Sequence, residues 1–382
     1  MKEIKEILKA FEQAQQEKKK AALATVVHVE GSSYRRAGAR MLITEDGQLT
    51  GAISGGCLEG DALRKAQLVM SQQRSMLVTY DTMDEDDATI GIGLGCNGII
   101  QVLIEPIDDS TENNPINFLK EIAAARESSV LITLFSLQDK KNPQYGTCLL
   151  IKENKLTGHV PLFQPTIIED GNAAFENQSS SFKNYISERE SYTAFIEFIQ
   201  PPVSLIIIGA GNDVIPLVQM ADILGWETTV VDGRPNYAKK EKFVAGCQVL
   251  VSKPEKALDK LNIDDQTVFL LMTHNYNYDF SMLRALLNKD VKYIGSLGPR
   301  KKLERMLNEL AEEGIVIPDE KRATIYGPVG LDIGAETSEE IALSILAEIK
   351  TVLSQRKGDS LRQGEFIHAR SAAQIEEVHI KS

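Results

Sequence analysis

Few cysteines, no long apolar run and no surplus of positive charge set the first limits on this chain. Its four cysteines, Cys57, Cys96, Cys148 and Cys247, are widely spaced with no CxxC pair, which argues against a zinc ribbon and offers no disulfide framework. Reduced thiols are expected. No apolar stretch approaches the ~20 residues that span a bilayer, the longest being "VSLIIIGAG". The opening "MKEIKEILKAFEQAQQEKKK" carries Glu3, Glu6 and Glu12 where a signal peptide would be apolar. A cytoplasmic chain with no membrane partner is therefore expected. The formal net charge of -12 runs against nucleic-acid binding, which needs Lys and Arg to neutralise phosphates. Small molecules or proteins are the expected partners.

What is present suffices for sizeable cores. The 382 residues, 43% hydrophobic and 25% charged, fit two to three globular domains at the usual ~150 residues each. Ile4, Ile7, Leu8 and Phe11 recur at helical spacing, so the chain begins with an amphipathic helix. "ALATVVHVEG", "ARMLITEDGQLTGAIS" and "SMLVTYD" read as strands, with Asp46-Gly47 as a hairpin turn and "EGDALRKAQLVMSQQR" as an intervening helix with Glu59 and Asp61 in its first turn. "INFLKEIAAARES" predicts a helix, "VLITLFSL" and "TCLLIKENKLTGHV" predict strands, residues 168–192 read as polar and irregular, and "TAFIEFI" is a further strand. The first half is thus α+β.

Pro201-Pro202 marks a boundary, because proline cannot continue a central strand. Beyond it strands and helices alternate, from "SLIIIGAG" through "ETTVVDGRP", "TVFLLMTHN" and "KYIGSLG", which implies a Rossmann-like doubly wound parallel sheet. Thr337 and Glu340 form a capping box for the last helix. The expected division is an α+β domain over 1–200, a Rossmann-like domain over 201–354 and a polar tail over 355–382.

Several residues carry candidate chemistry. In "AISGGCLEGD" the bare backbone of Gly55 and Gly56 would let a ligand approach Cys57, whose thiolate the helix amides would favour. Cys96 in "GIGLGCNG" repeats the theme; a buried inert cysteine is the alternative for each. "GSSYRRAGAR" gathers Ser32, Ser33, Arg35, Arg36 and Arg40 as an anion cradle or a solvated basic turn. In "GAGNDV", Gly209 and Gly211 match a nucleotide fingerprint and Asp232 ends the next strand where a ribose-binding acid would sit, although Asp213 would compete with a pyrophosphate. His274 in "MTHNYNYD" lies at the same sheet edge, suited either to acid–base work or to a hydrogen bond within its own loop. The acidic run "DTMDEDDA" lacks metal-site spacing and reads as a solvated loop, so no metal site is expected.

"GSSYRRAGARMLI", "GAISGGCLEGD", "GLGCNG", "GAGNDVIPL", "LGWETTVVDGRP", "YIGSLGPRKK" and "GPVGLDIGAETSEEIALSILAEI" together resemble the xanthine dehydrogenase accessory proteins, the XdhC and CoxI-like family. The resemblance implies a maturation factor more than a catalyst: a chaperone that binds the molybdopterin form of the molybdenum cofactor, protects its sulfurated state and inserts it into an apo molybdenum hydroxylase such as xanthine dehydrogenase. It carries a cofactor-binding role onto Cys57 through the matching "SGGCLEGD"; a cysteine desulfurase and a second copy of the chain are further partners to consider. On the residue reading, Ser33, Arg35 and Arg36 would take the cofactor's phosphate. Gly209, Gly211, Asp232 and His274 would serve NAD or another nucleotide, which leaves an NAD-dependent oxidoreductase as the alternative. A sulfur-transfer or nucleotidyl-transfer step at Cys57 is the third reading.

Overall fold

The structure, a computed structural model, describes residues 1–81, 98–108, 110–111, 113–138, 144–160, 162–188, 190–363 and 375–380. The chain divides into two compact units, Glu3–Pro201 with Glu365–Ser382, and Pro202–Gly364.

The first unit opens with α1 (Lys2–Gln16), whose Ile4, Ile7, Leu8, Phe11 and Ala14 are buried, the stripe that 3.6-residue periodicity places on one face. Next come β1 (Ala21–Gly31), β2 (Arg40–Thr44), β3 (Leu49–Gly51), α2 (Glu59–Gln72), β4 (Met76–Asp81) and β5 (Gly98–Pro106). Among the described residues these strands form an antiparallel sheet in the order β3-β2-β1-β5-β4. Ala62, Ala66, Val69 and Met70 of α2 pack onto Val26, Met41, Val102 and Ile104 of one sheet face. Then follow α3 (Pro115–Ala124), β6 (Ser129–Phe135), β7 (Gly146–Lys152), β8 (Lys155–Gly158), α4 (Gln164–Glu176), β9 (Ser181–Ile186) and β10 (Ser191–Ile199). Their strands form a second sheet ordered β9-β10-β6-β7-β8. The stretch read from sequence as irregular over 168–192 is corrected here: it holds most of α4, all of β9 and the start of β10. Its pattern is faint because α4 buries only Ile167, Gly171 and Ala174, and β9 only Phe182 and Tyr185.

The second unit runs β11 (Ser204–Ile208), α5 (Val214–Ile223), β12 (Glu227–Asp232), β13 (Gln248–Val251), α6 (Pro254–Ala257), β14 (Thr267–Leu271), α7 (Tyr276–Leu286), β15 (Ile294–Ser296), α8 (Arg300–Glu312), α9 (Asp319–Arg322), β16 (Ile325–Tyr326) and α10 (Ser338–Leu353). The strands form a parallel sheet ordered β13-β12-β11-β14-β15-β16. Every residue of β11 and β14 is buried, as a strand covered on both faces requires. Helices α5 and α10 cover one face, α7 and α8 the other. The order reverses between β11 and β14, and at such a switch point the loops beyond the strand ends splay into a crevice.

The polar tail read over 355–382 is also corrected. Residues Ile375–His379 form β17, which pairs in parallel with β9 and extends the second sheet of the first unit. None of its five residues is fully buried, so sequence polarity hid an edge strand.

A buried ion pair links the two sheets of the first unit. Arg40, 4% exposed, donates from Nη1 to Glu197 Oε1 at 3.1 Å and to the Gly38 carbonyl at 2.8 Å, with Nη2 on Glu197 Oε2. Burial opposes the Arg40 charge, and the charge and hydrogen bonds of Glu197 outweigh it. Glu197→Ala would strand that cation in the interior, so we expect a loss of about 3–5 kcal/mol in denaturant unfolding. Replacing both partners with apolar residues should cost much less.

Candidate functional site

Between β3 and α2 the chain makes the turn that holds Cys57. Ser54 organises it. The Ser54 Oγ accepts from the amides of Gly56 at 3.2 Å, Cys57 at 3.1 Å and Leu58 at 3.1 Å, and the Cys57 thiol lies 3.4 Å from the same oxygen. Ser54 in turn donates its hydroxyl proton to Glu59 Oε2, while the amides of Ser54 and Leu58 reach the two Glu59 oxygens at 2.9 and 3.1 Å. Burial works against the Glu59 charge, yet these bonds outweigh it and hold the carboxyl below its usual range. The expectation that helix amides face the thiol is corrected: the nearby amides converge on Ser54.

Cys57 itself is half-buried, whereas Cys148 and Cys247 are buried. Gly56 has φ +111 and a side chain there would meet nothing within 4 Å among the described residues, which leave this face of the turn open. The ring of Tyr34 lies over Gly55, 3.6 Å from where a Cβ would stand, which brings the serine-arginine loop beside the cysteine turn. Within that loop Ser33 is 8% exposed and its Oγ has no hydrogen-bond partner among the described residues. The loop is only in part a cradle. Arg35 is engaged by Glu3, Arg40 is buried on Glu197, and Arg36 is the exposed arginine. Cys96 and residues 82–88 of the acidic run lie outside the described residues. Among the described residues, no three His, Cys, Asp or Glu side chains gather as a metal site.

In the second unit the crevice between β11 and β14 gathers the remaining candidates. Gly209, at φ +124, allows the β11 loop to pass so close that a Cβ there would overlap the Met272 carbonyl. Asp213 stands over the glycine turn, its Oδ1 filling the space that a Cβ on Gly211 would take, and its Oδ2 is 3.2 Å from His274 Nε2. His274 has φ +56, and its loop is pinned from below: Thr273 Oγ1 donates to buried Asp279 at 2.6 Å, and Lys302 pairs with Asp279 at 2.6 Å. Asp232 is 2% exposed and already committed. It accepts from the Ala210 amide at 2.9 Å and from Arg234 Nε and Nη2 at 3.0 and 2.8 Å, while the guanidinium stacks on Tyr237. The cavity next to Asp213, bordered by Met272, Leu297 and Ser338, is about 30 Å³, room for a water or two.

Comparison with known proteins adds the family. Residues 14–81 match the XdhC and CoxI family, and residues 205–349 match the XdhC Rossmann domain. A Bacillus subtilis protein, named as a probable subunit of xanthine dehydrogenase, is 32% identical over 334 residues, 87% of this chain and 93% of its own length. The chain belongs to the XdhC and CoxI family. Another relative, the "Molybdenum cofactor insertion chaperone PaoD" of Escherichia coli, is 23% identical over 90% of this chain and 86% of its own. A crystal structure described as a xanthine dehydrogenase from Bacillus halodurans superposes with TM-score 0.74 at 34% identity, covering 94% of this chain and 98% of that one.

For this XdhC and CoxI family member, sequence reading pointed to Cys57, the glycines around it and the residues of the Rossmann crevice as candidates, but missed three partnerships. Ser54 and Glu59 lie within five residues of each other, and the S-x4-E spacing at a helix start was the available signal. Asp213 with His274, 61 residues away, and Arg234 with Asp232 had none beyond residue type. Asp232 also carries a pH dependence. Burial opposes its charge, but the bonds from Arg234 and the Ala210 amide outweigh this and hold its carboxyl below the usual carboxylate range. A carboxyl depressed on folding stabilises above its unfolded value near ~4 and loses that contribution as the pH falls through its folded value. Arg234→Ala should therefore unfold at lower denaturant than wild type at neutral pH, and the gap should narrow as the pH falls below the unfolded value near ~4 and close once Asp232 is protonated in the folded protein, which a denaturation series across pH would read.

Proposed function

We propose that this protein is a maturation factor that holds the molybdenum cofactor in its molybdopterin form and delivers it to an apo molybdenum hydroxylase of the xanthine dehydrogenase type. Family membership supports the accessory role, and the name of the Escherichia coli relative supports the cargo. The observation that carries the reading to a site is the half-buried Cys57 thiol on an open glycine turn. A soft thiolate suits a molybdenum-sulfur centre. The neighbouring Ser33 Oγ is a buried polar atom with no hydrogen-bond partner among the described residues, the kind of group that a ligand atom satisfies. Exposed Arg36 supplies positive charge toward a phosphate, while Arg35 and Arg40 hold the fold. The thiol would grip the metal end, and the loop would fix the cargo's orientation. A cysteine desulfurase that renews the cofactor's sulfur, and pairing of two copies, are compatible with this role.

The alternative, an NAD-dependent oxidoreductase, is not favoured. A dinucleotide in the usual Rossmann mode puts its pyrophosphate over the glycine turn and its ribose on the acid ending the second strand. Here the Asp213 carboxylate occupies the first place, and Asp232 is spent on Arg234 and Ala210. Both anchors of that binding mode are therefore taken by protein groups.

Two measurements test these readings. Cys57→Ala, purified beside wild type from cells that make the cofactor, should retain severalfold less molybdenum and pterin by metal analysis and pterin fluorescence; equal retention removes Cys57 from the site. NADH titrated to millimolar concentration should leave the fluorescence of Trp226, the single tryptophan, and the calorimetric heats without a saturable change. A saturating isotherm would reinstate the nucleotide.

A further inference from the structure

Two of the exposed tyrosine rings in this chain are already paired. Tyr145, 40% exposed, packs against Tyr192 with ring centroids 4.8 Å apart, and Tyr237, 47% exposed, lies under the Arg234 guanidinium at 4.0 Å. The third is Tyr34. It is 68% exposed, and among the described residues neither a second ring nor a cation stands over it.

The Tyr34 ring is nevertheless seated. A Cβ on Gly55 would stand 3.6, 3.6 and 3.8 Å from its Cδ1, Cγ and Cδ2, and near-equal distances to three successive ring atoms belong to a point over the face. Gly55 therefore backs one face of the ring, and the exposure falls on the remainder, including the opposite face. A ring held from behind and bare in front is a stacking platform, since flat π-systems prefer to meet face to face with an offset. It stands beside the thiol. Consecutive Cα atoms are about 3.8 Å apart, which keeps Gly55 and Cys57 within about 7 Å of each other. The residue before the tyrosine is Ser33, whose buried Oγ has no hydrogen-bond partner among the described residues.

We infer that Tyr34 stacks on the pterin ring system of the cargo and so selects which heterocycle this site accepts. The inference rests on the reading of the Cys57 turn as the cargo site. Molybdopterin carries a flat fused heterocycle and its metal-binding sulfurs in one molecule, so a ring platform and a thiol two residues apart take its two ends. Covering the bare face also removes apolar ring surface from water. A purine is flat and bicyclic as well, but it offers no metal-sulfur group to Cys57, so the neighbouring thiol favours the pterin.

The test is binding of pterin-6-carboxylic acid, a fluorescent metal-free pterin, to the full-length chain by fluorescence anisotropy. Wild type should give a saturating curve. Tyr34→Ala should bind at least about fivefold more weakly, the scale of loss when an aromatic stacking partner is truncated. Tyr34→Phe should bind as wild type does, because the stack uses the ring and not the hydroxyl. Tyr34→Leu still covers Gly55 with apolar bulk but lacks a π-face, so it should bind as weakly as the alanine variant; should Tyr34→Ala not fold, the leucine variant carries the same test. No wild-type curve at millimolar probe, or a leucine variant that binds as wild type, overturns the assignment. So does guanosine monophosphate displacing the pterin at equal concentration, because the ring then accepts any bicyclic base. The probe brings no metal centre to the thiol, so Cys57→Ala should bind it as wild type does and the two readings fail separately. Unchanged probe binding in Tyr34→Ala with cofactor lost from Cys57→Ala removes the platform alone. Weakened probe binding in Tyr34→Ala with cofactor retained by Cys57→Ala removes the thiol alone.

Discussion

A buried or half-buried hydrogen-bonding group must find a partner, and at the start of α2 one serine oxygen meets that demand for much of a turn. Ser54 Oγ collects three consecutive amides of the turn that leads into α2. By doing so it fixes the backbone on which Gly55 and Gly56 stay bare and on which the Cys57 sulfur stands half-exposed. Glu59, one residue beyond the cap of α2, anchors the serine in place.

The second unit keeps the architecture of a doubly wound sheet while the carboxylates at its ligand edge are engaged by protein groups. Strand order, the switch point and the close passage at Gly209 are those of a doubly wound nucleotide-binding sheet. Its two decisive carboxylates are turned inward on protein partners. Asp232 ties the glycine loop to Arg234, and Asp213 reaches His274 across the crevice. Negative charge stands over the turn, and the cavity next to Asp213 is about 30 Å³. Fold resemblance alone would have assigned a dinucleotide there.

Buried charge in the first unit serves architecture as well. Arg40 stands in a sequence segment rich in arginine and serine, and nothing local distinguishes it from Arg36. Its partner Glu197 lies on a strand 157 residues later. Once the two sheets pack, that guanidinium is enclosed and unable to bind cargo. Arg35 is diverted in the same way by Glu3 of α1. A cradle of three arginines becomes, in three dimensions, two structural cations and one exposed one.

Patterns that act over a few residues were legible in the amino-acid order itself. The apolar stripe of α1, the alternation of strands and helices after Pro202, the Thr337 and Glu340 cap, and the glycine-bracketed cysteine all depend on local periodicity or turn chemistry. Those forces need no knowledge of the rest of the chain. Elements with mixed polarity, α4, β9 and β17, were hidden because their stability comes from neighbouring strands and not from their own pattern. Partnerships across long separations were decided by packing alone, since a carboxylate's role depends on which donor the fold delivers to it. So the order of residues determined where a glycine-flanked thiol and a nucleotide-type turn would lie, and only the tertiary structure decided that Arg40 is a strut, that Asp232 and Asp213 are engaged by protein groups, and that the thiol and Glu59 meet at one serine oxygen.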